Sequence, residues 1–227
     1  MRAWNVSVFG DTYRIVSSSH KDGSKAENED IVISPGISTD FILRTKTENE
    51  SSCLCAVLAV AKLIFLKLSY PRMELDIDTR VGVYKVWRES DRICAKTPKC
   101  KLKFTKEELE IGGINIPFYE SGENCGIIFC ESPFLSDFDS DYLSSVYYRE
   151  EKNSLKGVFA AEKRGKELFF KSYPEVDKVA SFLLFSEFLF QKGRISPGNT
   201  FMPGQLGEKI HFHFDCAANL VASVFIN

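Results

Sequence analysis

Two long apolar runs, Leu54 to Leu68 and Phe182 to Phe190, stand out from a series of short apolar stretches. Long continuous runs predict buried helices; short runs bounded by Gly, Pro, Asn or Asp predict strands. The first helix is expected over Cys53–Lys67, with Ser51 or Ser52 as its N-cap. The second is expected over Glu175–Gln191, with an apolar stripe at Val176, Val179, Ala180, Leu183, Leu184 and Phe188. A shorter helix fits Asp139 to Tyr147. Strands are expected at Val6–Phe9, Tyr13–Val16, Ile31–Ile33, Phe41–Thr45, Met73–Asp78, Val83–Trp87 and Arg92–Cys94. Further strands follow at Ile116–Tyr119, Cys125–Cys130, Leu155–Glu162, Leu168–Lys171, His211–Asp215 and Leu220–Ile226. Cys125–Cys130 is continuous enough to be central in its sheet. Thr105 begins a short helical or irregular piece, with Glu107 and Glu108 in its first turn and Gly112-Gly113 breaking it.

The order of these elements repeats. The strand Phe41-Ile42-Leu43-Arg44 is followed by an acidic turn through Glu48 and Glu50, then Cys53 and the first apolar run. Leu168-Phe169-Phe170-Lys171 is followed by Glu175 and Asp177, then Ser181 and the second run. Phe41 precedes Cys53 by twelve positions, as Phe169 precedes Ser181. In each copy a turn, a strand, a glycine (Gly82; Gly207) and an alternating strand come next. The alternating strands are Val83–Trp87 and Lys209–Phe214. This predicts an α+β fold of two similar lobes, 1–110 and 111–227, joined near Lys103 to Gly113. Two helix N-termini would then face one central cleft.

Composition narrows the function classes. The chain has 227 residues, 44% hydrophobic, with 19 Phe, enough for a packed core. Lys and Arg total 29 against 31 Asp and Glu, without a basic block, which argues against a nucleic-acid partner. The run Leu54–Leu68 is too short to span a bilayer and carries Lys62 and Lys67, so no membrane partner is expected. Met1–Gly10 lacks a signal-peptide core. Seven cysteines, an odd number in a chain this large, read as reduced thiols of an intracellular, cytoplasmic protein. No P-loop, dinucleotide fingerprint or zinc spacing is present, so neither cofactor nor metal is expected. His211 and His213 share a strand face, and without a third ligand they read as surface residues.

The stretch Asp40 to Trp87 resembles the diaminopimelate-epimerase-like fold, shared by cofactor-independent amino-acid epimerases and phenazine-biosynthesis isomerases. Epimerases carry a strand, an acidic turn and C-G-N-G at the start of a central helix. Here the strand Phe41–Arg44, Glu50 and Cys53-Leu54-Cys55-Ala56 take those places. Asp78-Thr79-Arg80-Val81-Gly82 is similar to the phenazine-type branch. The second C-G-x-G falls at Ser181-Phe182-Leu183-Leu184, so the glycines at both helix starts are replaced. The nearest match to the phenazine-type S-E-T is Ser38-Thr39-Asp40.

The resemblance implies each lobe is a curved, mainly antiparallel sheet around a central helix. It also implies proton transfer on a small carboxylate-bearing molecule without a cofactor. Such chemistry needs bases on opposite faces of one carbon. A thiol at a helix N-terminus can serve, because the helix lowers its pKa, and the same N–H groups can hold a carboxylate. Cys53 takes the position of the first base. Cys55 is a competing thiol, better suited to core packing. Asp40 could act as acid or base at a cleft edge. Ser181 stands at the second helix start, where an N-cap or packing role competes with catalysis. A divergent homologue without chemistry, acting as a ligand-binding or interaction protein, is the alternative. A homodimer is one open arrangement.

Overall fold

A computed structural model describes residues 2–8, 11–17, 31–45, 50–68, 70–98, 104–111, 114–121, 125–130, 140–150, 157–174, 178–203 and 210–225. The chain divides into two compact units. The first is Met1–Cys100 with Pro197–Thr200 and Leu206–Asn227; the second is Lys101–Ser196 with Phe201–Gln205. The protein is α+β, with three α-helices and two mixed sheets among the described residues.

In the first unit, chain order sets most of a nine-stranded sheet. It runs β1 (Arg2–Val8), β2 (Asp11–Ser17), β3 (Ile31–Pro35), β4 (Phe41–Arg44), β5 (Glu74–Thr79), β6 (Gly82–Glu89) and β7 (Arg92–Lys96). The last two strands of the chain, β15 (Leu220–Phe225) and β14 (Ile210–Phe214), complete it. Only β2–β3 and β4–β5 are parallel. Helix α1 (Glu50–Lys62) packs against β1, β2 and β7. Those strands are far apart in the sheet order, so the sheet must curl around the helix. Every residue from Leu54 to Ala61 is buried. A helix apolar on all sides has no solvent face to offer and belongs at the centre. Each large aliphatic side chain removed from water there contributes roughly 1.5–3 kcal/mol.

The second unit holds a six-stranded sheet ordered β13 (Met202–Pro203), β12 (Glu167–Tyr173), β11 (Gly157–Arg164), β10 (Cys125–Cys130), β9 (Ile114–Ser121), β8 (Phe104–Ile111). β10 lies between a parallel and an antiparallel neighbour, in the central position its apolar run requires. Helix α2 (Ser140–Glu150) packs on β11 and β12, and α3 (Lys178–Gln191) on β12.

Four local expectations are corrected. Helix α1 begins at Glu50, so Ser51 and Ser52 lie inside its first turn rather than capping it. Small polar residues are tolerated there because the first N–H groups have no intrahelical acceptor. The segment from Thr105 is not helical: β8 pairs with β9 from Phe104↔Ser121 to Ile111↔Ile114, and hairpin pairing outweighs the helix propensity of Lys106–Glu110. Gly112 and Gly113, between those strands, lie outside the described residues. Helix α3 has no narrow stripe. Phe182, Phe185, Phe188 and Leu189 are buried on several sides, while Leu183 is half-exposed. Val176 and the acidic turn at Glu175 and Asp177 lie outside the described residues. Finally, the strand matched to Val83–Trp87 in the second copy does not mirror it. β14 and β15 join the first sheet, β15 pairing with β7 from Val221↔Lys96 to Phe225↔Arg92.

Among the described residues, no helix is long and apolar enough to cross a membrane.

Candidate functional site

The helix starts carry the recurrence into three dimensions. Cys53 is the fourth residue of α1, and Ser181 is the fourth residue of α3. Each helix begins nine positions after its matched phenylalanine, Glu50 after Phe41 and Lys178 after Phe169. Both residues therefore sit at the close of the first helical turn, near the positive end of the helix dipole. For Cys53 and Ser181 the backbone alone is described. The residues that follow them are core: Leu54 and Phe182 are fully buried, and Phe182 stacks on Phe201 at 5.8 Å between ring centroids. Leu184 is buried as well. The apolar residues replacing helix-start glycines thus anchor each helix within its own unit. Cys55 is buried in the core of the first unit.

Asp40 is held by hydrogen bonds within the first unit. Its Oδ1 accepts a hydrogen bond from Arg72 Nη1 at 2.8 Å, and its Oδ2 accepts from the Asp76 backbone N–H at 2.9 Å. Its own N–H donates to the Asp76 carbonyl at 3.0 Å, and its carbonyl accepts from Gly36 N–H at 3.2 Å. A Cβ on Gly36 would overlap the Thr39 carbonyl, so only glycine closes that turn. Asp40 is a staple between the β3–β4 turn and the start of β5. It lies before β4, whereas the chain leaves for α1 from the other end of that strand. Four strand residues span about 13 Å.

The opposite end of β4 holds the Asp78–Gly82 turn. Phe41 pairs with Ile77 and Ile42 with Asp78, which sets Arg44 beside that turn. Arg44 Nη2 lies 3.9 Å from Asp78 Oδ2, both side chains being partly exposed. Thr79 fixes the turn from inside: its buried hydroxyl donates to the Gly82 carbonyl at 2.7 Å and accepts from Val81 N–H at 3.2 Å. Gly82 has φ +132°, and a Cβ there would sit 2.8 Å from Pro98 Cβ. The resemblance at D-T-R-V-G is therefore rooted in a backbone geometry that requires its glycine.

Burial and the neighbouring Glu89 push the Cys94 thiol up to about 11. Partial burial alone would raise Asp215, but hydrogen bonds from Lys96, Asn219 and Ala217 hold it well below the usual carboxylate range. Lys96 Nζ lies 2.6 Å from Asp215 Oδ2. His211 and His213 are half-exposed on β14, and His211 meets the Phe225 ring edge-on at 5.4 Å. No group of three metal-ligating side chains occurs among the described residues. The Lys96–Asp215 and Arg44–Asp78 contacts had no signal in the sequence, since both depend on strand register.

No protein-family model and no curated protein matches the chain. Solved structures do match over nearly its whole length. A phenazine biosynthesis protein of the PhzF family from Bacillus anthracis has a TM-score of 0.59 at 12% identity, covering 100% of this chain and 98% of its own. A PhzF-family protein from Enterococcus faecalis gives 0.60 at 14% identity, with 98% and 94% covered. A predicted epimerase from Pseudomonas aeruginosa gives 0.59 at 12% identity, with 99% and 95% covered. The chain has the diaminopimelate-epimerase-like fold. Within that fold it is similar to PhzF-type proteins, as a divergent sequence.

Proposed function

We propose that this protein is an isomerase-type proton-transfer protein, acting without a cofactor on a small carboxylate-bearing molecule. Its two units act as the two lobes of the fold, each contributing one helix start, that of α1 and that of α3. The observation that carries this reading is the equivalent placement of Cys53 and Ser181, each the fourth residue of its helix. Cys53 is the base that removes the α-proton, and the first-turn N–H groups of α1 hold the substrate carboxylate. Ser181 is a weak partner, since an unactivated hydroxyl is a poor base at neutral pH. The chemistry is therefore one-base isomerisation or slow α-proton exchange: the proton leaves carbon for Cys53, the thiol trades it for a solvent hydron, and Cys53 returns that hydron to the carbanion. Asp40, with both carboxylate oxygens bonded, acts as a positioning residue that fixes β4.

Exchange of α-protons with D₂O, read by NMR with diaminopimelate and a panel of amino acids, tests this. Exchange is expected in the parent, lost in Cys53→Ala and largely retained in Ser181→Ala. Exchange indifferent to Cys53→Ala removes Cys53 as the base. A second reading, a ligand-binding or interaction protein without chemistry, is favoured by one observation. Leu54 and Phe182 fill core at positions where a glycine would let the backbone approach a ligand closely.

A further inference from the structure

The β1–β2 hairpin is bound closely to itself and sparingly to the rest of its sheet. β1 and β2 pair along their whole length, from Arg2↔Ser17 to Val8↔Asp11. β2 meets β3 only in the parallel pairs Ile15↔Ile31, Val16↔Val32 and Ser17↔Ile33. Residues 18–30 separate those two strands in the chain, so no short turn ties them. Among the described residues, no strand lies on the other edge of β1. Two side chains hold that edge instead. Lys62 Nζ donates to the Ser7 carbonyl at 3.2 Å, and Lys67 Nζ donates to the Asn5 carbonyl at 3.1 Å, both in solvent-exposed contacts. A π-helical turn, Leu63–Lys67, lets these two lysines reach one strand edge while Leu63, Ile64 and Phe65 stay buried. Single π turns in α-helices are often tied to function.

We propose that the β1–β2 hairpin is a flap over α1, hinged where β2 meets β3 and latched by Lys62 and Lys67. Val6 and Val8 of β1 and Ile15 of β2 are the buried side of the flap, and both strands pack on α1. The latch also sets direction. Lys62 meets Ser7 and Lys67 meets Asn5, so α1 and β1 run antiparallel. Five helical residues rise about 7 Å and two strand residues about 7 Å, so the two elements keep step along their lengths. The α1 start therefore lies toward the Val8–Asp11 end of the hairpin, the end free to swing. Opening the flap brings the first half of α1, with its buried Cys55, to solvent. By contrast β6 is paired along both edges, to β5 and to β7, and stays closed. The motion belongs to the fold and is independent of any chemistry at Cys53.

The test is peptide-resolved hydrogen exchange together with iodoacetamide labelling of Cys55, comparing the parent with Lys62→Met/Lys67→Met. Methionine keeps an unbranched apolar stem and removes the donor. In the parent, β1 and β2 amides should exchange together and at least about tenfold faster than those of β6. In the double variant, β1 and β2 exchange and Cys55 labelling should rise in the same proportion, about tenfold, with β6 unchanged. Parent β1 and β2 amides as slow as those of β6 would overturn the proposal. So would a double variant that leaves their exchange where it was, or one that speeds β6 equally, which is general loss of stability. Faster β1 and β2 exchange with Cys55 labelling unmoved overturns it as well, because the flap would then not cover α1.

Discussion

Helices α1 and α3 begin alike and end differently. Each starts nine positions after a matched phenylalanine and carries its candidate residue fourth. At their ends the resemblance stops. Helix α3 closes with a left-handed glycine, Gly193 at φ +67°, whose N–H bonds to Phe190 while Arg194 N–H bonds to Leu189. That is a Schellman ending. Helix α1 instead widens into a π turn that delivers Lys62 and Lys67 to the β1 edge. The starts are alike at the positions proposed to carry the chemistry. The ends answer to whatever lies beside each helix. The staple shows the same asymmetry: Asp40 stands just before Phe41, while Leu168, just before Phe169, is fully buried.

The largest expected effect tests whether the residues after Cys53 and Ser181 are anchors. Phe182→Ala should cost about 3–5 kcal/mol and Leu54→Ala about 2–5 kcal/mol, measured by denaturant unfolding. A cost below about 1 kcal/mol for both would mean that neither position belongs to a packed core.

The next separates the two helix ends. Nothing lies within 4 Å of a Cβ at Gly193, so Gly193→Ala is strained only by its backbone. It should cost about 1–2 kcal/mol, the usual price of a left-handed non-glycine residue. Gly82→Ala should cost more, because Pro98 must also move.

Asp40→Ala should lower stability by about 1–3 kcal/mol, since the partly buried Asp76 N–H and Arg72 lose their acceptor. Any activity per folded molecule should persist. If activity vanishes with stability intact, Asp40 is more than a staple.

The smallest effect is acid sensitivity in the first unit. The folded state depresses the Asp215 pKa, so its contribution is complete above the ordinary carboxylate value, about 3.9. It is lost as pH falls below that value through the folded one. Stability from pH 6 to 2 should therefore decline less steeply in Asp215→Asn than in the parent.

The sequence made α1 and α3 legible because their apolar runs are continuous, and the D-T-R-V-G turn legible because its glycine is obligatory. It did not reveal β8, whose Lys106-Glu107-Glu108 suits a helix in isolation. An edge strand welcomes such charges as protection against further pairing. Nor could it reveal that β14 and β15 return to the first sheet, because that pairing joins residues more than a hundred positions apart. The hydrogen bonds that occupy Asp40 arise from the same long-range register, between the turn before β4 and the start of β5.

The central claim is that the α1 start carries an activated thiol. Mass-resolved alkylation with iodoacetamide at pH 7 tests it within one chain. Cys216 is exposed, and Cys55 and Cys94 are buried, so the molecule supplies its own fast and slow references. Activation by the first helical turn predicts that Cys53 is modified faster than Cys216, with Cys55 and Cys94 slowest. Cys53 reacting as slowly as Cys55 and Cys94 would contradict the account and leave the protein a binding homologue without chemistry.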